Sequence, residues 1–173
     1  MKGLDGKIVQ ICFLVENIDR AIETWVAQTG AGPFFVKKNM HVEVEYRGEP
    51  SFIEVSAAFG QGGDVQIELI ELHGTNPSVY LDSFPLGQAG FHHVAMFVDD
   101  VAKAIEDSGY PVGMRGDFAG TPFAYIDTRE TLGFFTEIYQ HSDSMHRLYK
   151  DVADAARDWD GMTQVRSMDE LFG

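Results

Sequence analysis

Cysteine and basic residues are scarce in this chain of 173 residues. The single cysteine, Cys12, excludes an intrachain disulfide and is typical of a cytoplasmic protein with a buried thiol. Lysine and arginine together number 13 against 27 aspartate and glutamate residues, which gives a formal net charge of −14. Such a surface repels phosphate backbones and anionic lipids, so we expect neither a nucleic-acid partner nor a membrane partner.

Long hydrophobic runs are also missing. The first apolar run, in "IVQICFLVENIDR", is interrupted at Glu16 and is too short for a signal peptide or a membrane span. The chain is long enough to bury one core, and its length requires no second domain. These features together predict a cytoplasmic globular protein.

The chain does contain an internal repeat. The segment "VQICFLVENIDRAIE" (Val9–Glu23) aligns without a gap on "HHVAMFVDDVAKAIE" (His92–Glu106). Each copy predicts a buried strand, then a turn with Asn17 or Asp100 as helix cap, then the start of a helix. Two similar copies are too few for a solenoid and indicate a duplicated module.

Segments of strand length follow each copy, separated by glycine-rich turns. The sequence therefore predicts an α+β fold with two βαβββ modules, at about residues 7–72 and 90–140, within one domain over residues 1–140. The join at residues 73–90 contains Val79 and Tyr80 and is expected to include a packed helical turn.

The last residues, 141–173, lie outside both modules and predict a C-terminal helical tail. Apolar residues at helical spacing indicate one amphipathic helix over residues 143–160, docked by Leu148, Val152 and Trp159 and ended by Gly161. The apolar stripe covers either the protein's own sheet, which we favour, or a partner subunit in a homodimer.

The repeat also singles out polar side chains that could bind a metal. It pairs Gln10 with His93, and Glu68 with Glu137. Symmetry would bring these four together between the sheets, as a mixed nitrogen and oxygen site suited to a divalent cation. Because no thiolate set closes the site, such a metal would be catalytic and not structural.

Ordinary structural roles remain open for each of these residues. An arginine could neutralise Glu137, while Glu68, taken alone, would be a solvated strand residue and Gln10 an ordinary strand amide. The repeat pairs the neighbouring His92 with an apolar residue, so we expect His92 either to form a hydrogen bond with the backbone or to cap a strand.

At these residues, in "GFHHVAMFVDD", "GDVQIELIEL" and the "TEI" ending, the sequence resembles the vicinal oxygen chelate superfamily. That superfamily contains glyoxalase, methylmalonyl-CoA epimerase, extradiol dioxygenases and bleomycin-resistance proteins. The resemblance covers about residues 7–140 and is greatest for the epimerase-like branch. It implies two βαβββ modules in a half-open, glyoxalase-like barrel around a divalent metal ion (Zn, Ni, Co, Mn or Mg). The implied ligands are Gln10, Glu68, His93 and Glu137.

The resemblance further implies a metal-dependent isomerase or epimerase, or a related lyase, that acts on a small carbonyl compound through a metal-stabilised enolate. Glu137 is the expected proton-transferring base, and Glu54 is a candidate second base, although a solvated strand glutamate is its more common role. Gln10 in a histidine place disfavours ring cleavage, and Leu14 and Leu72 disfavour a glutathione pocket.

The competing hypothesis is a non-catalytic protein of the same fold that sequesters a small molecule. In either case the expected partner has an apolar or aromatic part, because aromatic residues are the candidates for the pocket wall. Those candidates are Phe34, Phe35, Phe59, Phe123 and Tyr125. The arginines that could meet an acidic group are Arg47, Arg115 and Arg129.

Overall fold

The strands and helices confirm the order βαβββ in two copies. The computed structural model describes residue 4 and residues 6–171, so the ends of the predicted domain and tail lie outside the described residues. The first module comprises β1 (Ile8–Leu14), α1 (Ile18–Thr29), β2 (Phe34–Tyr46), β3 (Glu49–Gly62) and β4 (Val65–Leu72). After a short helix α2 (Val79–Ser83) in the join, the second comprises β5 (Gly90–Val98), α3 (Val101–Ser108), β6 (Val112–Phe118), β7 (Thr121–Ile126), a one-turn helix α4 (Arg129–Leu132) and β8 (Phe135–Gln140).

The two long module helices begin in the same way. The side chain of Asn17 accepts a hydrogen bond from the backbone N–H of Arg20, and that of Asp100 accepts one from Lys103. These bonds satisfy N–H groups that the first turn of a helix leaves free. The predicted caps are therefore confirmed, and the repeat extends to local backbone chemistry.

The pairing of β1 with β5 carries the symmetry of the repeat. The two strands are antiparallel, and a twofold rotation relates the residue pairs between them to one another. The central pairs are Ile11 with Val94, Gln10 with Ala95, and Cys12 with His93. Rotation about the first pair exchanges Gln10 with His93, so the structure places these two residues equivalently.

The register shifts in this pair of strands obey the same symmetry. One shift leaves Val9 as an extra residue in β1, and the other leaves His92 as an extra residue in β5. An extra residue in one strand is a β-bulge, which locally changes the side to which side chains point. The bulge at His92 explains how two adjacent histidines are both buried inside the protein.

The sheet forms a barrel of eight strands in the order β3-β4-β1-β5-β8-β7-β6-β2, because β2 also pairs with β3. Pairing between β2 and β6 covers only Val44–Tyr46, although β2 is 13 residues long. The glyoxalase-like barrel predicted from the sequence is confirmed, and its weakest seam lies beside residues 37–43.

The C-terminal residues pack onto the barrel interior of the same chain. Helix α5 (Asp143–Arg157) buries Met145, Leu148 and Val152 in the main core cluster. Strand β9 (Val165–Ser167) then pairs with β2, and a 3-10 helix (Met168–Leu171) adds two more buried side chains. The apolar stripe of the helix therefore covers the protein's own sheet.

The predicted end of this helix is wrong. Helix α5 stops at Arg157, so Trp159 and Gly161 lie beyond it. The ring of Trp159 packs so closely over Gly32 that a Cβ there would lie 2.8 Å from it, and its indole N–H donates to the carbonyl of Met162. Both contacts require a turn instead of a further helical turn.

None of the helices within the described residues is long and apolar enough to cross a membrane.

Candidate metal centre

Four polar side chains lie close together inside the barrel. The parallel pairs β1–β4 and β5–β8 place Glu68 and Glu137 beside the central strands that hold Gln10 and His93. All four residues are at most 5% exposed. Burial of carboxylates is costly without a positively charged partner, so this cluster requires a cation or a proton.

The ligand atoms of the cluster face one another without satisfying one another. Nε2 of His93 lies 3.3 Å from Oε2 of Glu68 and 3.0 Å from Oε2 of Glu137. All three atoms, together with Oε1 of Gln10, are buried and have no hydrogen-bond partner among the described residues. Buried polar atoms are rarely left unpaired. A divalent cation would satisfy one nitrogen and three oxygens of this kind, so the donor set fits the implied metal.

The amide of Gln10 is oriented by a residue that the sequence did not single out. Its Nε2 donates a hydrogen bond of 2.7 Å to Oε1 of Gln66, which is 1% exposed. This bond turns the carbonyl oxygen of Gln10 away from Gln66. Gln66 thus acts on the candidate ligand and not on a cation directly.

A chain of hydrogen bonds fixes the imidazole of His93. Nε2 of His92 lies 3.1 Å from the carbonyl oxygen of Val79, so it must donate, and the two Nδ1 atoms lie 2.8 Å apart. His92 Nδ1 then accepts from His93 Nδ1, which leaves the Nε2 lone pair of His93 directed at the carboxylates. The expected backbone hydrogen bond of His92 is confirmed. Burial and the neighbouring His93 lower the pKa of His92 well below 6.5, which keeps it neutral.

The pKa values show what the cluster does without a cation. Burial alone would lower the pKa of His93, but Glu137 and Glu68 outweigh it and raise the pKa from 6.5 to about 9. Burial raises the pKa of Glu137 above 4.5, and the attraction of His93 offsets this only in part. A proton on His93 therefore compensates the buried carboxylates, and a divalent cation would displace that proton.

Cys12 is a further candidate ligand, which the sequence indicated only as a structural thiol. A ligand atom of Cys12, of Glu68 and of His93 all lie within 4.8 Å of one another. Burial, followed by the charge of Glu68, raises the pKa of the thiol well above 9.0, so a metal would be needed to hold it as thiolate. The signal in the sequence is its position two residues after Gln10, on the same strand face.

The structure does not bring Glu54, the predicted second base, to this site. Its side chain is exposed, whereas the flanking Ile53 and Val55 are buried. Alternate residues of a strand point to opposite faces, so Glu54 lies outside the barrel, where its carboxylate approaches Gly74. The alternating apolar residues around Glu54 are the signal in the sequence that places it there.

A cavity of about 50 Å³ lies beside Glu68 and Glu137. It has room for about three water molecules or a comparably small group. Its wall is otherwise apolar and aromatic and includes Phe59, Phe118, Phe123, Tyr125 and Tyr139. The aromatic wall expected from the sequence is thus present.

Two of the predicted pocket aromatics do not line this cavity. Phe35 is buried elsewhere in the main core cluster. Phe34 points to the other side of β2, where it packs in a separate cluster with Ile18 and Ile22 of α1. The alternation of side chains along β2 separates these adjacent rings.

The predicted arginines are already paired. Arg47 and Arg129 form ion pairs with Asp82 and Asp127, and Arg115 pairs with Glu45. These contacts tie the arginines to neighbouring strands and loops. They give no support for a binding site for several phosphates.

Comparisons with known proteins agree with this architecture. A family model described as "Glyoxalase/Bleomycin resistance protein/Dioxygenase superfamily" matches residues 9–125. The structure is similar to a Streptomyces coelicolor methylmalonyl-CoA epimerase in complex with 2-nitronate-propionyl-CoA, at 21% identity and a TM-score of 0.55, covering 80% of this chain and 96% of that one.

Two other solved structures show the same likeness. A methylmalonyl-CoA epimerase from Mycobacterium tuberculosis is 18% identical, with a TM-score of 0.52 over 84% of this chain and 95% of that one. A hypothetical protein from Bacillus halodurans is 20% identical, with a TM-score of 0.51 over 80% and 96%. No curated protein matches the chain. At these identities the likeness establishes the fold, and the chemistry has to be argued from the site.

Proposed function

The chain belongs to the glyoxalase, bleomycin resistance protein and dioxygenase superfamily, and we propose that it is a metal-dependent isomerase, epimerase or related lyase acting on a small carbonyl compound. One observation carries the proposal. Four buried ligand atoms, on Gln10, Glu68, His93 and Glu137, have no hydrogen-bond partner among the described residues, and Glu68 and Glu137 line a small apolar cavity.

A divalent cation held by these residues would supply Lewis acidity, which lowers the pKa of a C–H group next to a carbonyl and stabilises the enolate. Zinc, nickel, cobalt, manganese and magnesium all accept such mixed ligands. The residues of the chain supply the remaining functions. His92 orients His93, Gln66 orients Gln10, and the apolar wall keeps water away from the reacting carbon.

Glu137 is the proposed base. Burial raises the pKa of Glu137, which brings the carboxylate closer to the range in which it both takes up and returns a proton. Tyr125, its partner on the adjacent strand, interacts with the same carboxylate. This contact holds Glu137 at the cavity wall.

The structure favours one proton-transferring carboxylate over two separate bases. Because Glu54 lies outside the barrel, Glu68 is the other carboxylate at this cavity. A single carboxylate can remove and return a proton in an isomerase or lyase. We therefore favour these two reactions over an epimerisation that needs bases on opposite faces.

The size of the cavity indicates a compact substrate, such as a 2-oxo or 2-hydroxy acid. Two neighbouring oxygens of such a compound suit a divalent cation. The similar epimerases are named for methylmalonyl-CoA, but here the arginines considered above are paired, and 50 Å³ cannot enclose a coenzyme. If a thioester is the substrate, only its acyl end would enter, through the seam beside β2.

Metal content and proton exchange together test the proposal. We expect protein purified without added metal to contain about one divalent cation per chain, measured by elemental mass spectrometry. The loaded protein should then catalyse exchange of solvent deuterium into the C–H next to the carbonyl of 2-oxobutyrate, followed by proton NMR.

The two failures of this experiment have different meanings. A protein that binds none of the five metals after reconstitution would contradict the enzyme proposal and favour the non-catalytic binding protein. A protein that binds metal but exchanges no proton in a panel of small 2-oxo and 2-hydroxy acids would retain the metal site and lose the proposed chemistry.

A further inference from the structure

Two histidines face each other on the protein surface, where the second module meets α5. His141 directly follows β8, and His146 lies in the first turn of α5. Nδ1 of His141 is 2.7 Å from Nε2 of His146, and the two ring planes are nearly perpendicular, at 86°. Both residues are exposed, whereas His93 of the candidate metal centre is fully buried. Dissolved ions therefore reach this pair directly.

The two rings are held in place by one aromatic side chain and by the backbone. The ring of Phe97 stacks on His141 at 5.2 Å and meets His146 edge-on at 4.9 Å. The backbone N–H of His141 donates to the carbonyl of Val98, and that of His146 donates to the carbonyl of Ser142. Groups that are ordered before binding lose little conformational entropy when a ligand arrives, so the pair is well prepared to bind one.

The other nitrogen of His141 faces a carboxylate. Strands β5 and β8 are parallel, with Val98 opposite Gln140, so Asp99 and His141 follow side by side. Oδ1 of Asp99 is 3.9 Å from Nε2 of His141, and its exposed side chain is free to turn closer. A metal-binding histidine commonly donates its second N–H to a carboxylate, which fixes the tautomer of the ring. Here that tautomer leaves the Nδ1 lone pair directed at His146.

The spacing of the two nitrogens fits a cation after a small adjustment. Two nitrogens bound to one tetrahedral zinc ion at about 2.0–2.1 Å are about 3.3 Å apart. From the 2.7 Å of the present contact, the exposed rings have to separate by about 0.6 Å. Imidazole nitrogens suit zinc, nickel and copper, whereas magnesium and calcium prefer oxygen. The pair therefore selects transition metals.

The charges around the pair also decide in favour of a cation. The N-terminal end of α5 carries a partial positive charge, which opposes cation binding there. Asp143 lies in the same first turn, and Asp99 lies on the far side of His141. Two full negative charges outweigh the partial charge of the helix end, and the whole chain carries a net charge of −14.

We propose that His141 and His146 form a second metal site, which takes Zn²⁺, Ni²⁺ or Cu²⁺ together with water molecules, and that Asp99 orients His141. A cation held there ties the end of β8 to the first turn of α5 and so strengthens the attachment of the C-terminal helix. The site shares no residue with the candidate metal centre inside the barrel, and the inference does not depend on the proposed function.

Retention of the untagged, full-length protein on immobilised Ni²⁺ tests whether the pair binds metal from solution. Wild type should elute at a higher imidazole concentration than His141→Asn or His146→Asn. Resin-bound nickel cannot reach His93, which is 0% exposed. The matched control is His41→Asn, which removes a histidine whose side chain is 50% exposed and paired with Glu43, and it should elute with wild type. Equal elution of wild type and both pair variants would overturn the inference.

Calorimetric titration with Zn²⁺ alone measures the number of sites. Wild type should bind one more Zn²⁺ than His146→Asn, with a Kd in the micromolar range, and Asp99→Asn should weaken this binding by about 10-fold. Zn²⁺ should also raise the melting temperature of His93→Gln, and adding His146→Asn should remove that rise. Equal stoichiometry in wild type and His146→Asn, or a Kd above about 1 mM, would overturn the site. Unchanged affinity in Asp99→Asn would overturn the role of the carboxylate.

The same titration separates this inference from the proposed function. A wild-type protein that binds a single Zn²⁺, lost in His146→Asn and kept in His93→Gln, would support the surface site and contradict the metal centre in the barrel. A single Zn²⁺ that is lost in His93→Gln and kept in His146→Asn would overturn the surface site and leave the barrel centre standing.

Discussion

The stability of the metal-free protein should depend on pH between 6.5 and 9 mainly through one residue, His93. Its pKa is raised from 6.5 to about 9 because Glu137 and Glu68 outweigh the effect of burial. The folded state then holds a proton that the unfolded state has lost. A raised pKa contributes stability that is fully present below pH 6.5 and disappears as the pH rises through about 9.

The size of this effect follows from the same shift. At about 1.4 kcal/mol for each pKa unit, the change from 6.5 to about 9 corresponds to about 3 kcal/mol. This is a large part of the roughly 5–15 kcal/mol that stabilises a typical domain. His92 does not obscure it, because a pKa lowered by burial affects stability below pH 6.5 and not above it.

Urea unfolding between pH 6 and pH 9.5, in the presence of a chelator, measures the effect. The free energy of unfolding should fall by about 3 kcal/mol across this range in wild type, and His93→Gln should remove the decline. Loading with a divalent cation should abolish the decline, since a metal competes with the proton and binds about tenfold more weakly for each pH unit below 9. Parallel profiles for metal-free wild type and His93→Gln would refute the reasoning.

Three substitutions test the site and the tail. Glu137→Gln should lower proton exchange by a further factor of about 100 to 10,000 relative to Glu68→Gln at full metal occupancy; equal residual activities would remove the special role of Glu137. Cys12→Ser should weaken binding of thiophilic Zn²⁺ by about tenfold or more and leave Mg²⁺ binding unchanged; a parallel loss for both metals in metal titrations would contradict a thiolate ligand. Leu148→Ala should reduce the free energy of unfolding, measured in urea, by about 2–5 kcal/mol. The control is the same change at Leu132, which is 54% exposed and where the free energy should change by less than about 0.5 kcal/mol. Similar small losses for both leucines would mean that α5 is not part of the core.

The features that the sequence alone predicts are those with a local or repeated signal. Helix caps depend on a few neighbouring residues, and the alternation of strand residues depends on backbone geometry. The duplication adds non-local information, because symmetry requires equivalent residues to meet. That requirement identified Gln10 with His93 as an equivalent pair before any contact was known, and it predicted that Glu68 and Glu137 approach them.

The tertiary structure decided the features that depend on contacts between segments without a repeat. Cys12 becomes a candidate ligand only through its distances to Glu68 and His93. Leu148 and Val152 join the main core only because α5 packs across the barrel, and nothing in the repeated modules specifies where a C-terminal helix docks. The end of α5 likewise depends on the contact of Trp159 with Gly32, far away along the chain. Packing energy between distant segments outweighs local helical periodicity, so these positions were not determined by the sequence pattern.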